Sequence, residues 1–144
     1  SEDYKELNPG DVAYYDGMVY VNLSEIKPMI DQVEHTPLMH DEKLISFCKE
    51  NNIQIMSWGP LLRGNLENKK MEEIAEKYNK TTAQLLLRWN IQQGIIPIPK
   101  SKNEQRLQQN IDVFDFEITK EDMEELNHMN ENHRTSFDPL TFDF

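Results

Sequence analysis

Ile98-Pro99-Lys100-Ser101-Lys102-Asn103-Glu104-Gln105-Arg106-Leu107-Gln108 is the stretch on which the reading of this chain turns. A short apolar strand ends in a proline and gives way to a turn, then to a helix whose first residues are polar and basic. The whole chain carries 15 Lys+Arg against 26 Asp+Glu, yet this window holds three bases and one acid. A helix start leaves backbone N–H groups free and presents the positive end of a dipole. Basic side chains gathered there form an anion site. Lys100 brings a point charge, Arg106 a planar fork suited to phosphate, and Ser101 a hydroxyl donor. The competing reading is a solvated, charged first turn.

What surrounds the window favours the first reading. Met29 to Glu34 reads as a strand closed by Thr36-Pro37, and Asp41 to Asn51 as an amphipathic helix with Leu44, Ile45, Phe47 and Cys48 inward. Ile53 to Trp58 is the next strand, followed by the turn Gly59-Pro60. Met71, Ile74, Ala75 and Tyr78 mark a helical stripe. Thr81 and Gln84 form a capping box opening a second helix, which Gly94 stops. Ile95 to Ile98 is apolar throughout, as expected of a strand buried on both faces. A last helix begins at Thr119 with Met123, Leu126 and Met129 on one face, and the final dozen residues read as an irregular tail.

Three β/α units in succession imply parallel strands joined by right-handed crossovers, an α/β fold. Ligands gather at the C-terminal ends of such strands. Here those ends are Gln32 to His35, Ser57 to Leu61 and Pro99 to Ser101, so the basic window falls on the ligand side. Residues 1–24 form a separate, unassigned segment. In it Val12 to Tyr15 and Met18 to Val21 flank Asp16-Gly17, a two-residue hairpin signal.

A net charge of −11 argues against nucleic acid or an anionic membrane as partner. The acids concentrate in residues 117–144, where eight stand against Lys120 and Arg134, the pattern of a solvated face. No apolar run approaches the roughly 18–20 residues needed to span a bilayer, and no signal-peptide pattern opens the sequence. The single cysteine, Cys48, excludes an internal disulfide, lies on an apolar helical stripe and reads as a buried thiol. It points to a reducing, cytoplasmic setting. His35 and His40, five apart across a proline-containing turn, make a poor metal pair, and His128 and His133 read as surface residues.

From about residue 25 to 144 the chain resembles the C-terminal half of an aldo-keto reductase. The resemblance rests on Asp31-Gln32-Val33-Glu34-His35-Thr36-Pro37, Ser57-Trp58-Gly59-Pro60-Leu61, Ala83-Gln84-Leu85-Leu86-Leu87-Arg88-Trp89, and Ile98-Pro99-Lys100-Ser101 followed by Arg106 and Asn110. Asn110 to Phe116 and Glu121-Asp122-Met123 continue it. It implies a (β/α)₈ TIM barrel, of which this chain would hold the last three strands, and hydride transfer between NADP(H) and a carbonyl. It further implies that Gln32 bonds the nicotinamide carboxamide and that Trp58 lies against the nicotinamide ring, beside Pro60 and Leu61. Lys100, Ser101 and Arg106 would hold the adenosine 2′-phosphate, and Asn110 would contact the adenine. Trp89 is expected in the core. Asp31 stands where the family usually has asparagine.

The family's catalytic Asp, Tyr, Lys and His belong to the first half of the barrel, and only 24 residues precede the resembling region. Tyr14, Tyr15 and Tyr20 fall in the hairpin without a partner lysine, so no catalytic residue is assigned. The expectation is an NADPH-binding half of an oxidoreductase, truncated and inactive by itself. Such a chain would take a small carbonyl substrate only if the missing half were supplied. An incomplete barrel is also expected to self-associate or to pair with a complementary fragment. A non-catalytic binding or regulatory protein on the same fold, or a truncated fragment, are the alternatives.

Overall fold

In a computed structural model, residues 29–136, 138 and 141 are described, together with the backbone of 14–15 and 17–18. Two short antiparallel strands, β1 (Tyr14–Tyr15) and β2 (Gly17–Met18), pair Tyr15 with Gly17. Gly17 therefore belongs to the second strand rather than to the turn. The rest of the expected hairpin, Tyr20 included, lies outside the described residues.

The elements that follow are β3 (Ile30–Glu34), α1 (Glu42–Glu50), β4 (Gln54–Trp58), a 3₁₀ turn (Leu62–Gly64), α2 (Lys69–Lys77), α3 (Thr82–Gln92), β5 (Ile96–Ile98), α4 (Glu104–Ile111) and α5 (Lys120–Asn127). The three longer-range strands form one parallel sheet, ordered β3-β4-β5. Each helix starts where a side chain satisfies the free N–H groups of its first turn. Asp41 accepts from Lys43 and Leu44, Asn68 from Lys70 and Met71, and Thr119 from Asp122. At α3 the capping box forms in full, Thr81 accepting from the Gln84 N–H and the Gln84 side chain accepting from the Thr81 N–H.

Two apolar clusters hold the elements together. Leu62, Met71, Ile74, Ala75, Leu85, Leu86, Trp89, Ile118 and Leu126 fill the space between α2, α3 and α5. Trp89 is fully buried, as its place in the Leu-Arg-Trp run implied, and its indole N–H donates to Asn127 Oδ1 at 2.9 Å. Cys48, Ile55 and Ile95 form the second cluster, with Val33, Leu44, Ile45 and Ile53 against it, and seal α1 onto the sheet. Cys48 is a buried thiol; burial, then the Asp31 carboxylate 3.9 Å away, push its pKa up.

Two burial expectations fail. Phe47 is 56% exposed: the stripe that faces the sheet is narrower than the apolar run in the sequence, and Phe47 falls outside it. Nor is the last strand buried on both faces. Ile96 and Ile98 are 47% and 39% exposed, because side chains alternate along β5 and these two point to the face that the helices leave open. On that face the register sets Gln32 beside Met56 and Ile96, and Glu34 beside Trp58 and Ile98. No helix among the described residues is long and apolar enough to cross a membrane.

Candidate functional site

A cleft of about 1010 Å³ opens at the C-terminal ends of β4 and β5. One lip is the loop from Trp58 to Glu67, the other runs from Ile98 to Asn110, and Thr81 to Ala83 at the start of α3 complete the lining. Seven of the eight residues singled out from the sequence meet here: Trp58, Pro60, Leu61, Lys100, Ser101, Arg106 and Asn110. Gln32 is not among the lining residues. It sits on the open face of the sheet, exposed, one strand away from Met56.

The backbone of the first lip turns sharply after Trp58. Gly59 takes φ 62°, a left-handed conformation that costs glycine little, and accepts from the Leu62 N–H at 3.0 Å. Leu62 then drops into the helical core and pins the loop. Leu62, Arg63 and Gly64 all have positive φ, at 51°, 55° and 94°. The Arg63 guanidinium stands 5.5 Å from the centre of the Trp58 ring.

On the second lip, Asn103 caps α4 by accepting from the Arg106 N–H at 3.0 Å. Ser101 Oγ accepts from the Asn103 N–H at 3.1 Å and donates to the Asn103 carbonyl at 3.3 Å. The hydroxyl expected to serve a ligand thus also shapes the turn that presents Lys100 and Arg106. Asn110 Nδ2 is buried and has no hydrogen-bond partner among the described residues.

Four bases gather along the cleft, whereas several bases elsewhere are tied to acids. Lys70, Lys77 and Lys80 each pair with a carboxylate, Lys80 with both Asp112 and Asp115. Arg63, Lys100, Lys102 and Arg106 line the cleft and form no ion pair with any described residue. Arg63 and Lys102 were not singled out from the sequence as site residues. The signal for Arg63 was a base between Leu62 and Gly64, directly after the Gly59-Pro60 turn at a ligand-side strand end.

Tyrosine, lysine and aspartate do meet elsewhere. Tyr78 donates to Asp122 at 2.5 Å, and Lys77 Nζ reaches the same carboxylate at 2.6 Å. None of the three lines the cleft; they bolt α2 to α5. His35 and His40 are both buried and stack against Trp89, with ring centroids 4.6 and 5.7 Å from it. Burial, and then the neighbouring His40, lower the His35 pKa from 6.5 to about 4. No cluster of metal-binding side chains occurs among the described residues, and His128 and His133 are exposed.

The sequence profile described as the aldo/keto reductase family matches residues 11–131. The chain belongs to that family. It is 48% identical over 122 residues to YtbE of Bacillus subtilis, described as an uncharacterized oxidoreductase, covering 84% of this chain and 44% of the relative. It is 44% identical over 117 residues to the glyoxal reductase of the same organism, covering 81% of this chain and 42% of the relative. Among solved structures, Gox0644 superposes with a TM-score of 0.79 at 38% identity, over 83% of this chain and 45% of that one. A variant of Gox0644 solved in complex with NADPH superposes at 0.78, over 83% and 45%. The aldo-keto reductase of Bombyx mori solved with NADP superposes at 0.73, with 38% identity over 80% and 41%. The chain spans less than half the length of these relatives.

Proposed function

We propose that this chain is the NADPH-binding half of an aldo-keto reductase, with β3, β4 and β5 as the last three strands of a (β/α)₈ barrel and their open face as its inner wall. The reading rests above all on the convergence of Trp58, Pro60, Leu61, Lys100, Ser101, Arg106 and Asn110 on one cleft. Its volume suits a dinucleotide, since ligand pockets commonly measure about 300–1,000 Å³. The chemistry of the lining fits as well. Unpaired cations await anions in a chain of net charge −11, and the orphaned Asn110 amide awaits an acceptor such as a ring nitrogen.

When bound, NADPH supplies the hydride for carbonyl reduction. Arg106 and Lys100 hold the 2′-phosphate, with the Ser101 turn setting their approach. Trp58 offers a flat apolar face to the nicotinamide, and Gln32 supplies donor and acceptor to the carboxamide from the sheet face. The 144 residues alone bind cofactor without turning over a small carbonyl substrate, because no tyrosine is among the described residues lining the cleft. That same observation favours a second reading, a non-catalytic binding or regulatory protein on this fold. NADPH oxidation measured after adding a polypeptide with the first half of the barrel separates the two. The single thiol suits a reducing, cytoplasmic setting.

Nucleotide titration followed by Trp58 fluorescence tests the site. Arg106→Ala weakens NADPH by about tenfold or more, from loss of a charge-assisted hydrogen bond, and leaves NADH almost unchanged. Equal loss of both nucleotides would remove the 2′-phosphate role.

A further inference from the structure

Residues 34–40 carry every hydrogen bond that ties 130–135 to another part of the chain, among the described residues. Asn130 Nδ2 donates to the His40 carbonyl at 2.7 Å, the Glu131 and His133 N–H groups donate to the Leu38 carbonyl at 3.1 and 3.0 Å, and Thr135 donates to Glu34. The turn between closes on itself, Thr36 and Met39 exchanging backbone bonds of 2.9 and 3.0 Å. Beneath it lie two histidines. His35 and His40 are buried, with their rings edge to face at 5.8 Å and both against Trp89. This floor is fixed: Trp89 donates to Asn127, and Ser57 Oγ holds the His35 backbone by donating to its carbonyl at 2.8 Å.

Nothing near His35 is set to receive a proton's charge. Its Nε2 is buried and has no hydrogen-bond partner among the described residues, and His40 Nδ1 already donates to the Thr36 carbonyl at 3.1 Å. The charged groups of the surrounding elements are engaged elsewhere. Glu34 of β3 takes Thr135, Asp41 caps α1, Arg88 of α3 donates to Gln92 and the Val113 carbonyl, and Arg134 lies 4.0 Å from Asp138. β4 brings no titratable side chain, and Glu131 and His133 are exposed. We propose that the His35–His40 pair is an acid-operated latch: once protonated, it swings the turn 36–40 off Trp89 and frees 130–135 from the C-terminal end of β3. An imidazolium held between an indole and a second imidazole, away from water, is costly. Burial, and then His40, hold the His35 pKa near 4 in the closed latch, below the ordinary 6.5. The latch therefore holds above about pH 6.5 and yields as pH falls toward 4. What it uncovers is the Glu34 carboxylate, which the register sets beside Trp58 and Ile98 on the wall of the cleft.

Native-state hydrogen exchange on the intact chain at pH 7 and pH 5, corrected for the intrinsic pH dependence of amides, tests the latch. Opening at residues 131–136 should grow about twentyfold over that interval, the ratio set by a histidine pKa of about 4 closed and 6.5 released. At both pH values these amides should be less protected than those of α3, because the latch opens without unfolding the helical core. His35→Phe, which keeps a ring against Trp89 and takes no proton, should cut the change to about twofold or less. His35→Gln should do the same, and it decides the matter where His35→Phe does not fold. Flat exchange at 131–136 in wild type would overturn the latch, since the segment would then open without releasing His35. Protection equal to that of α3 would overturn it by showing that the segment opens only with the whole chain. An undiminished rise in either folded variant would overturn it by assigning the acid response to another group.

Discussion

Glu34, the last residue of β3, accepts both the backbone N–H of Thr135, at 2.8 Å, and the Thr135 hydroxyl, across 101 residues of sequence. Two further bonds lay the same segment over the sheet end, from the N–H groups of Glu131 and His133 to the Leu38 carbonyl at 3.1 and 3.0 Å. Glu34 is buried and its second oxygen has no partner, so Thr135 gives the carboxylate its main compensation. Thr135→Val should destabilise the chain by about 1.5–3 kcal/mol, the usual worth of a hydrogen bond to a charged group. Hydrogen exchange should then rise at residues 131–136 before it rises in α3. An unchanged exchange pattern would show that the Leu38 bonds hold the segment by themselves.

Acid should loosen the fold through His35. Its folded pKa, about 4, lies below the 6.5 of the unfolded chain, so the unfolded state binds more protons between those values. Stability is therefore complete above about pH 6.5 and is lost as pH falls toward 4, by up to about 3 kcal/mol. Denaturant midpoints measured from pH 7 to 4.5 should fall in wild type and fall less in His35→Phe, which keeps a ring against Trp89. Parallel slopes in the two proteins would place the acid sensitivity elsewhere.

Asn110 should display a conflict between stability and binding. Its buried, unpartnered amide group costs the unliganded chain, so Asn110→Leu should leave stability unchanged or raise it by about 1 kcal/mol. The same change should weaken NADPH. A destabilised Asn110→Leu with intact nucleotide affinity would mark Asn110 as a packing residue.

The open sheet face carries Ile30 at 56% and Ile96 at 47% exposure, and apolar surface of this kind drives association. Light scattering should report a mass above that of one chain, and Ile96→Glu should lower it with little effect on unfolding. A compact monomer that unfolds cooperatively would contradict this.

Local signals in the sequence were reliable where the chemistry was local. Thr81 and Gln84 announce a helix start because both partners lie within one turn, and the window from Lys100 to Arg106 could be placed at a helix N-terminus for the same reason. Long-range facts were less legible. Ile95 to Ile98 has the composition of a buried strand, but burial depends on what covers it, and among the described residues Ile96 is left half exposed. His35 and His40 read in the sequence only as a poor metal pair; the pairing of Thr36 with Met39 sets both against Trp89. Arg63 escaped notice because a loop has no periodicity to set one residue apart. Its left-handed backbone is visible only in three dimensions.

Successive residues of β3 look in opposite directions. Asp31 faces α1, its carboxylate beside Cys48, whereas Gln32 faces the open side of the sheet. The Asp31 carboxylate therefore sets the ionic surroundings of a thiol rather than the surface beside the cleft. The strand works as a partition between the side that packs against α1 and the side left open.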